Sequence, residues 1–121
     1  MRVQLTADDD HAIPLAMQNE LFRVAEEALN NALKHAHAST LTVRLRTTDN
    51  AVELDIADNG RGFDPGRAAL SGGQGLTNMR ERVARLGGQF DIDTAVGQET
   101  AIRVHADLPA IARHARRPAL S

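Results

Sequence analysis

The chain has 121 residues, 42% hydrophobic, 25% charged and 2% aromatic, with a formal net charge of -2 and no cysteine. That length holds one domain with an aliphatic core and is too short for two. The near-neutral balance with so few rings excludes a nucleic-acid surface, which needs a basic field and stacking side chains, and the missing cysteines remove disulfides and thiolate metal sites.

No apolar run approaches membrane-spanning length and the N-terminus has no signal-peptide pattern, so the expectation is a soluble, cytoplasmic chain in a reducing compartment. Arg2 to Thr6 alternates Val3 and Leu5 with polar neighbours, which predicts a short edge strand. Asp8, Asp9, Asp10 and His11 follow as a polar turn. Three adjacent acids invite a cation loop, but they lack calcium-loop spacing and read as solvated.

Pro14 suits the first turn of a helix running to about Ala38, where Ser39 and Thr40 break it. At ~100° per residue, Leu21, Phe22, Ala25, Ala28, Leu29, Ala32, Leu33 and Ala36 share one apolar arc, a core face. Val24, Glu27, Asn31 and Lys34, with His35, form a second stripe on its boundary. The plainer meaning of that stripe is a solvated Glu27–Asn31–Lys34 ladder. Against it, Glu26, Glu27, Asn30 and Asn31 crowd two acids and two amides into a helix interior, where asparagine is not chosen for propensity. The functional alternative is Mg²⁺ held between Glu27 and Asn31 with Lys34 reaching a phosphate, because Mg²⁺ takes oxygen ligands completed by substrate phosphates. The helix by itself leaves both open.

Thr40 to Thr47 places Leu41, Val43 and Leu45 on one face, Asp49–Asn50 turns the chain, and Val52, Leu54 and Ile56 repeat the alternation. The pair reads as an antiparallel hairpin. Asp58 is the next residue on the inward row, where a carboxylate must find donors. It either caps Gly60 as a turn aspartate or offers an oxygen to a ligand donor such as an adenine amine. Two glycines at alternate positions in Asp58-Asn59-Gly60-Arg61-Gly62-Phe63 favour the ligand, since they let backbone approach a flat molecule.

Asp64 to Ser71 is a polar connection closed by Gly72-Gly73-Gln74-Gly75. A second helix follows, with Leu76, Met79, Val83 and Leu86 inward, and Gly87–Gly88 stops it. Glycines at a helix start leave free amides for a phosphate. A dinucleotide-binding βαβ unit is excluded, because its glycines would follow a strand directly. Phe90 with Ile92, and Ile102 with Val104, mark two more strands joined through Val96-Gly97-Gln98-Glu99. The fold expected is α+β, a two-layer sandwich of a mixed, mostly antiparallel sheet with both helices on one face. Residues 1–109 form the domain and 110–121 an alanine- and arginine-rich tail.

Three segments in order, Glu27-Ala28-Leu29-Asn30-Asn31-Ala32-Leu33-Lys34-His35-Ala36, Asp58-Asn59-Gly60-Arg61-Gly62-Phe63 and Gly73-Gln74-Gly75-Leu76-Thr77-Asn78-Met79-Arg80-Glu81-Arg82, resemble the N, G1 and G2 boxes of sensor histidine kinases. The likeness is greatest to the nitrate-sensor and desaturase-sensor type, whose G2 box runs into a helix matched here by Met79-Arg80-Glu81-Arg82-Val83-Ala84-Arg85-Leu86-Gly87-Gly88. It spans most of residues 15–109. The resemblance implies the Bergerat-type ATP-binding sandwich shared with gyrase, a 90-kilodalton heat-shock chaperone and mismatch-repair ATPases, with ATP and Mg²⁺ as ligands.

Carried over by position, it implies Asn31 as the Mg²⁺ ligand, Glu27 as orienter of a metal-bound water, and Lys34 and His35 near the phosphates. It implies Asp58 as acceptor from the adenine amine, Gly60 and Gly62 lining the adenine pocket, and Phe63 and Leu76 among the nucleotide contacts. Gly73 and Gly75 would hinge a short lid and meet the phosphates. Thr100 would bond near the adenine, while Glu99 stands where the family has a glycine, which puts close backbone approach there in doubt. His11, His35, His37, His105 and His114 are each followed by alanine, so none carries the acidic neighbour of a phosphoacceptor. The implied function is the catalytic half of a two-component kinase, acting on a histidine of an absent dimerisation and acceptor domain and, through the whole kinase, on a response regulator. An ATP hydrolase of the gyrase or chaperone class and an anti-sigma-type serine kinase are the alternatives within the same superfamily.

Overall fold

The structure is a computed structural model that describes residues 1–8, 12–34, 37–62 and 75–108. Within these residues the order is β1 (Arg2–Asp8), α1 (Leu15–Lys34), β2 (Thr40–Thr47), β3 (Ala51–Asp58), α2 (Gly75–Arg85), β4 (Gln89–Asp93) and β5 (Thr100–Asp107). The five strands form one sheet ordered β1-β2-β3-β5-β4. β1 runs parallel to β2, and every other neighbouring pair is antiparallel. The α+β sandwich expected from the pattern is therefore the fold observed.

Alternation in the strands decides which face meets the helices. Leu41, Val43, Val52, Leu54, Ile56, Ile102, Val104 and Ala106 are buried and join Met17, Leu21, Val24, Ala28 and Ala32 of α1 and Met79 and Val83 of α2 in one core. The opposite face is charged. There Arg46 pairs with Glu53 and Asp55 at 2.9 Å each, Arg103 pairs with Asp55 at 3.1 Å, and His105 Nδ1 lies 3.4 Å from Glu53. Half-exposed pairs of this kind contribute little to stability. Their effect is to keep one face of the sheet wet and the helix layer single.

The helices meet each other as well as the sheet. Glu20 of α1 accepts from Arg82 at 3.1 Å and Arg85 at 3.3 Å on α2, and Arg80 stacks over the Phe90 ring at 5.0 Å. α2 ends as its glycines predict: Gly87 takes φ 65°, Gly88 N–H donates to the Val83 carbonyl and Gly87 N–H to that of Ala84. These are the two bonds of a Schellman cap.

The observed α1 corrects the sequence reading in two respects. Its buried line is Met17, Leu21, Val24, Ala28 and Ala32, so Val24, placed above on the polar stripe, is fully buried, while Phe22 and Leu33 are 63% and 49% exposed. The cause is lateral. α1 lies over β2 and β3 and packs against α2, so its Phe22 flank turns toward the β1 edge. There an open trench of about 330 Å³ lies between Phe22, Ala25, Leu5, Leu45 and Leu54. The helix is described to Lys34 and is over by His37, short of Ala38: His37 takes a left-handed φ of 51°, and Ala38 N–H bonds to the Ala32 carbonyl. At the other end of the sheet edge, β1 runs to Asp8, further than the alternation of Val3 and Leu5 suggested.

Candidate functional site

Two groups of site residues converge, one at the junction of the helices and one at the end of the sheet. Glu27 and Asn31 are one turn apart on α1 and so project from the same side of the helix. Gly75, the first residue of α2, sits against both. A Cβ built on Gly75 would lie 3.0 Å from Glu27 Oε2, 3.3 Å from Asn31 Oδ1 and 3.4 Å from Asn31 Nδ2. Only a residue without a side chain allows this approach without displacing them. The start of α2, with its positive dipole end, thus stands beside a carboxylate and an amide oxygen. Lys34, exposed in the last turn of α1, adds a cation one turn further on.

The second group lies where the inward row of β3 ends. Val52, Leu54 and Ile56 are followed on that row by Asp58, which is 8% exposed and paired in register with Leu41 of β2 and Thr100 of β5. Its Oδ1 accepts from Gly60 N–H at 2.8 Å. The capping reading of Asp58 is the one observed: one oxygen caps Gly60, and no partner among the described residues engages the other. Thr100 is 4% exposed, and its hydroxyl lies 2.8 Å from that of Thr94.

The loop after Asp58 is held from both sides. Gly62 is buried at φ 64°, and a Cβ there would overlap the carbonyl oxygens of Ala95 and Gln98. Gly97 N–H donates to the Arg61 carbonyl at 2.6 Å. Gly62 was expected to line a pocket for a flat ligand; what the structure places against its Cα is the turn between β4 and β5. On the other side Asn59 bonds to Ser39 and Thr40. These ties escaped the sequence reading, and their only signal there was an asparagine beside glycine in a turn.

Of the remaining candidates, Leu76 is half-buried and packs against the core from the first turn of α2, and Glu99 is exposed before β5. His35, Phe63, Gly73, the acidic run Asp9, Asp10 and His11, the connection from Asp64 to Gln74 and the tail 110–121 lie outside the described residues.

The donor chemistry fits a magnesium nucleotide. Glu27 and Asn31 supply hard oxygens, and among the described residues no cluster of three or more His, Cys, Asp and Glu is placed to hold a metal alone. Hard oxygens suit Mg²⁺, which keeps waters and is completed by phosphates. Asp58, with an open oxygen at the rim of an apolar row, suits the amine edge of a flat base. No helix among the described residues is long and apolar enough to cross a membrane.

Residues 16–110 match the family described as histidine kinase-, DNA gyrase B- and HSP90-like ATPases. The sensor protein VraS of Staphylococcus aureus is 37% identical over 99 residues, covering 82% of this chain and 28% of VraS. The signal transduction histidine-protein kinase/phosphatase DegS of Bacillus subtilis is 38% identical over 102 residues, covering 83% of this chain and 26% of DegS. The chain thus spans about a quarter of the length of these curated relatives.

Among solved structures, the histidine kinase domain of the Erythrobacter litoralis EL346 blue-light activated kinase superposes with a TM-score of 0.64 at 22% identity, over 92% of this chain and 57% of that one. The mycobacterial sensor histidine kinase MprB gives 0.62 at 23% identity, over 98% and 83%. At such identities the likeness speaks for the fold. The family match runs across most of the sequence, and the conclusion is that this chain belongs to the family of histidine kinase-, DNA gyrase B- and HSP90-like ATPases.

Proposed function

We propose that this chain is the ATP-binding catalytic domain of a sensor histidine kinase, which binds Mg-ATP and presents its γ-phosphoryl group to a histidine on a separate dimerisation and acceptor domain. The observation that carries the proposal is the approach of Gly75 to Glu27 and Asn31. It sets an anion-seeking helix start beside hard oxygen donors, the combination a metal-bridged polyphosphate needs. Phosphoryl transfer is mostly positioning and charge neutralisation, and those are what this chain's residues supply.

Asn31 Oδ1 would hold the metal, Glu27 would orient a water beside it, and Lys34 with His35 would neutralise phosphate charge. Asp58 accepts from the adenine amine with the oxygen that Gly60 leaves open, and Thr100, opposite it, hydrogen-bonds at the same end. Gly60, Gly62, Phe63 and Leu76 shape the base site, while Gly73 and Gly75 let the lid connection close over the phosphates. Mg-ATP supplies the transferable phosphoryl group and the charge that the metal screens. The chain has no histidine with the neighbour of an acceptor, so it does not phosphorylate itself. Its partners are the kinase's own acceptor domain and, through the whole protein, a response regulator, on the cytoplasmic side of a sensor.

Calorimetric titration with ADP, ATP and GTP, with and without Mg²⁺, tests this while phosphate release is followed in the same samples. The expected result is adenine-selective, Mg-assisted binding with negligible turnover. Asp58→Asn should weaken ATP about tenfold or more while leaving GTP unchanged, since it removes a charge-assisted bond. Asn31→Ala should abolish the Mg²⁺ dependence with the fold intact. Sustained turnover would instead make the chain an ATP hydrolase, and absence of binding would refute the proposal.

A further inference from the structure

The two ends of the proposed nucleotide site belong to different elements. Asn31 and Lys34 stand on α1, and Asp58 ends β3. α1 packs on β2 and β3, but a helix can slide or tilt along a sheet, and a ligand that spans both ends is sensitive to such a shift. Where the chain that follows α1 enters β2, one side chain adds to the backbone ladder that joins β2 to the end of β3. Asn59 Oδ1 accepts from Ser39 N–H at 2.9 Å and from Thr40 N–H at 2.8 Å, and its Nδ2 donates to Ser39 Oγ at 2.7 Å. Its own backbone N–H donates to the Thr40 carbonyl at 3.2 Å. Four bonds from one residue join the link behind α1 to the residue beside Asp58.

The same link carries a residue outside helical geometry. His37 takes a φ of 51°, a conformation that costs a non-glycine residue energy and persists where its surroundings enforce it. Two residues later come the Ser39 and Thr40 amides that Asn59 receives. On the other side, Asp58 faces the core and Asn59, by strand alternation, faces away from it. The same backbone step thus sends one side chain to the base site and the next to the clamp.

Resting on the function proposed above, we infer that Asn59 is a positioning residue for the nucleotide: it fixes the separation between the metal and phosphate end on α1 and the base end at Asp58, without touching either ligand group. A purely local turn residue would have no reason to affect a ligand that spans both ends more than one that uses only the base end. Mg-ADP spans both ends, and adenosine uses one.

The test compares the 121-residue chain with its Asn59→Ala and Asn59→Asp variants, titrating each with Mg-ADP and with adenosine and recording each melting curve. Aspartate keeps an acceptor for the Ser39 and Thr40 amides, and the Ser39 hydroxyl can turn to donate to it. The expected result is a loss of about tenfold in Mg-ADP affinity for Asn59→Ala, the size of one lost net hydrogen bond or two, with adenosine affinity changed less than about twofold. Asn59→Asp should recover most of the Mg-ADP affinity. Equal losses for both ligands, or a loss of Mg-ADP that Asn59→Asp does not recover, would overturn the assignment and leave Asn59 a structural turn residue. If the parent binds Mg-ADP and Asn59→Ala binds it equally well, this inference alone fails. A parent that binds no Mg-ADP refutes the functional reading and this inference with it.

Discussion

Replacing Gly62 by alanine should be among the most damaging single-methyl changes in this chain, and the structure separates its causes. Gly62 sits at φ 64°, where an L side chain costs about 1–2 kcal/mol. Its new methyl would also overlap the Ala95 and Gln98 carbonyl oxygens, which are backbone atoms and cannot rotate away. Moving that turn adds an overpacking cost of ~1–3 kcal/mol. It also breaks the Gly97 N–H bond to the Arg61 carbonyl, a further ~1 kcal/mol. About 4 kcal/mol in all corresponds to ~15 °C in melting temperature for a domain of this size.

Gly87→Ala is the internal control. Gly87 has nearly the same φ, 65°, but nothing lies within 4 Å of its Cβ position, so only the conformational cost of about 1–2 kcal/mol applies, roughly 5 °C. The assay is thermal unfolding of the two variants and the parent under one condition. Should Gly62→Ala melt within about 3 °C of Gly87→Ala, the turn yields freely and the tight seat of the loop on the β4–β5 connection is refuted.

Gly75→Ala puts a methyl 3.0 Å from the tip of Glu27 and 3.3 Å from Asn31 Oδ1. Both are movable side-chain ends, and alanine favours a helix over glycine by up to ~1 kcal/mol. Its melting temperature should therefore hold or rise while Mg²⁺-dependent nucleotide affinity falls, and unchanged affinity would remove Gly75 from the site. Met79→Ala empties a fully buried position under α2 and should cost ~2–5 kcal/mol in denaturant unfolding; a loss below about 1 kcal/mol would show that α2 packs loosely. Glu20→Ala removes the acceptor shared by Arg82 and Arg85. Its cost should be no more than about 1 kcal/mol and should shrink in molar salt, and a salt-independent loss would mean that the stem of Glu20, not its charge, is what matters.

Periodicity alone determined the strands, the two helices and the inward rows, because a period of two or of 3.6 residues with apolar side chains specifies which face is buried whatever lies opposite. The same logic put Asp58 at the end of a buried row and the stop of α2 at Gly87–Gly88, both as observed. The family was legible too, since motif residues sit at fixed local spacings. Only the tertiary structure decided the rotation of α1. An arc wide enough to include Phe22 and Leu33 contains several possible centres, and the one chosen, Met17 to Ala32 through Val24, depends on where α2 and the strands lie. It alone decided that β1 pairs parallel at the edge, leaving Leu5 and Phe22 beside an open trench. It alone brought Gly75 to Glu27 and Asn31, 44 to 48 residues away in sequence, and Asn59 to Ser39. Contacts between elements depend on how the layers stack, and no local pattern of residues carries that information.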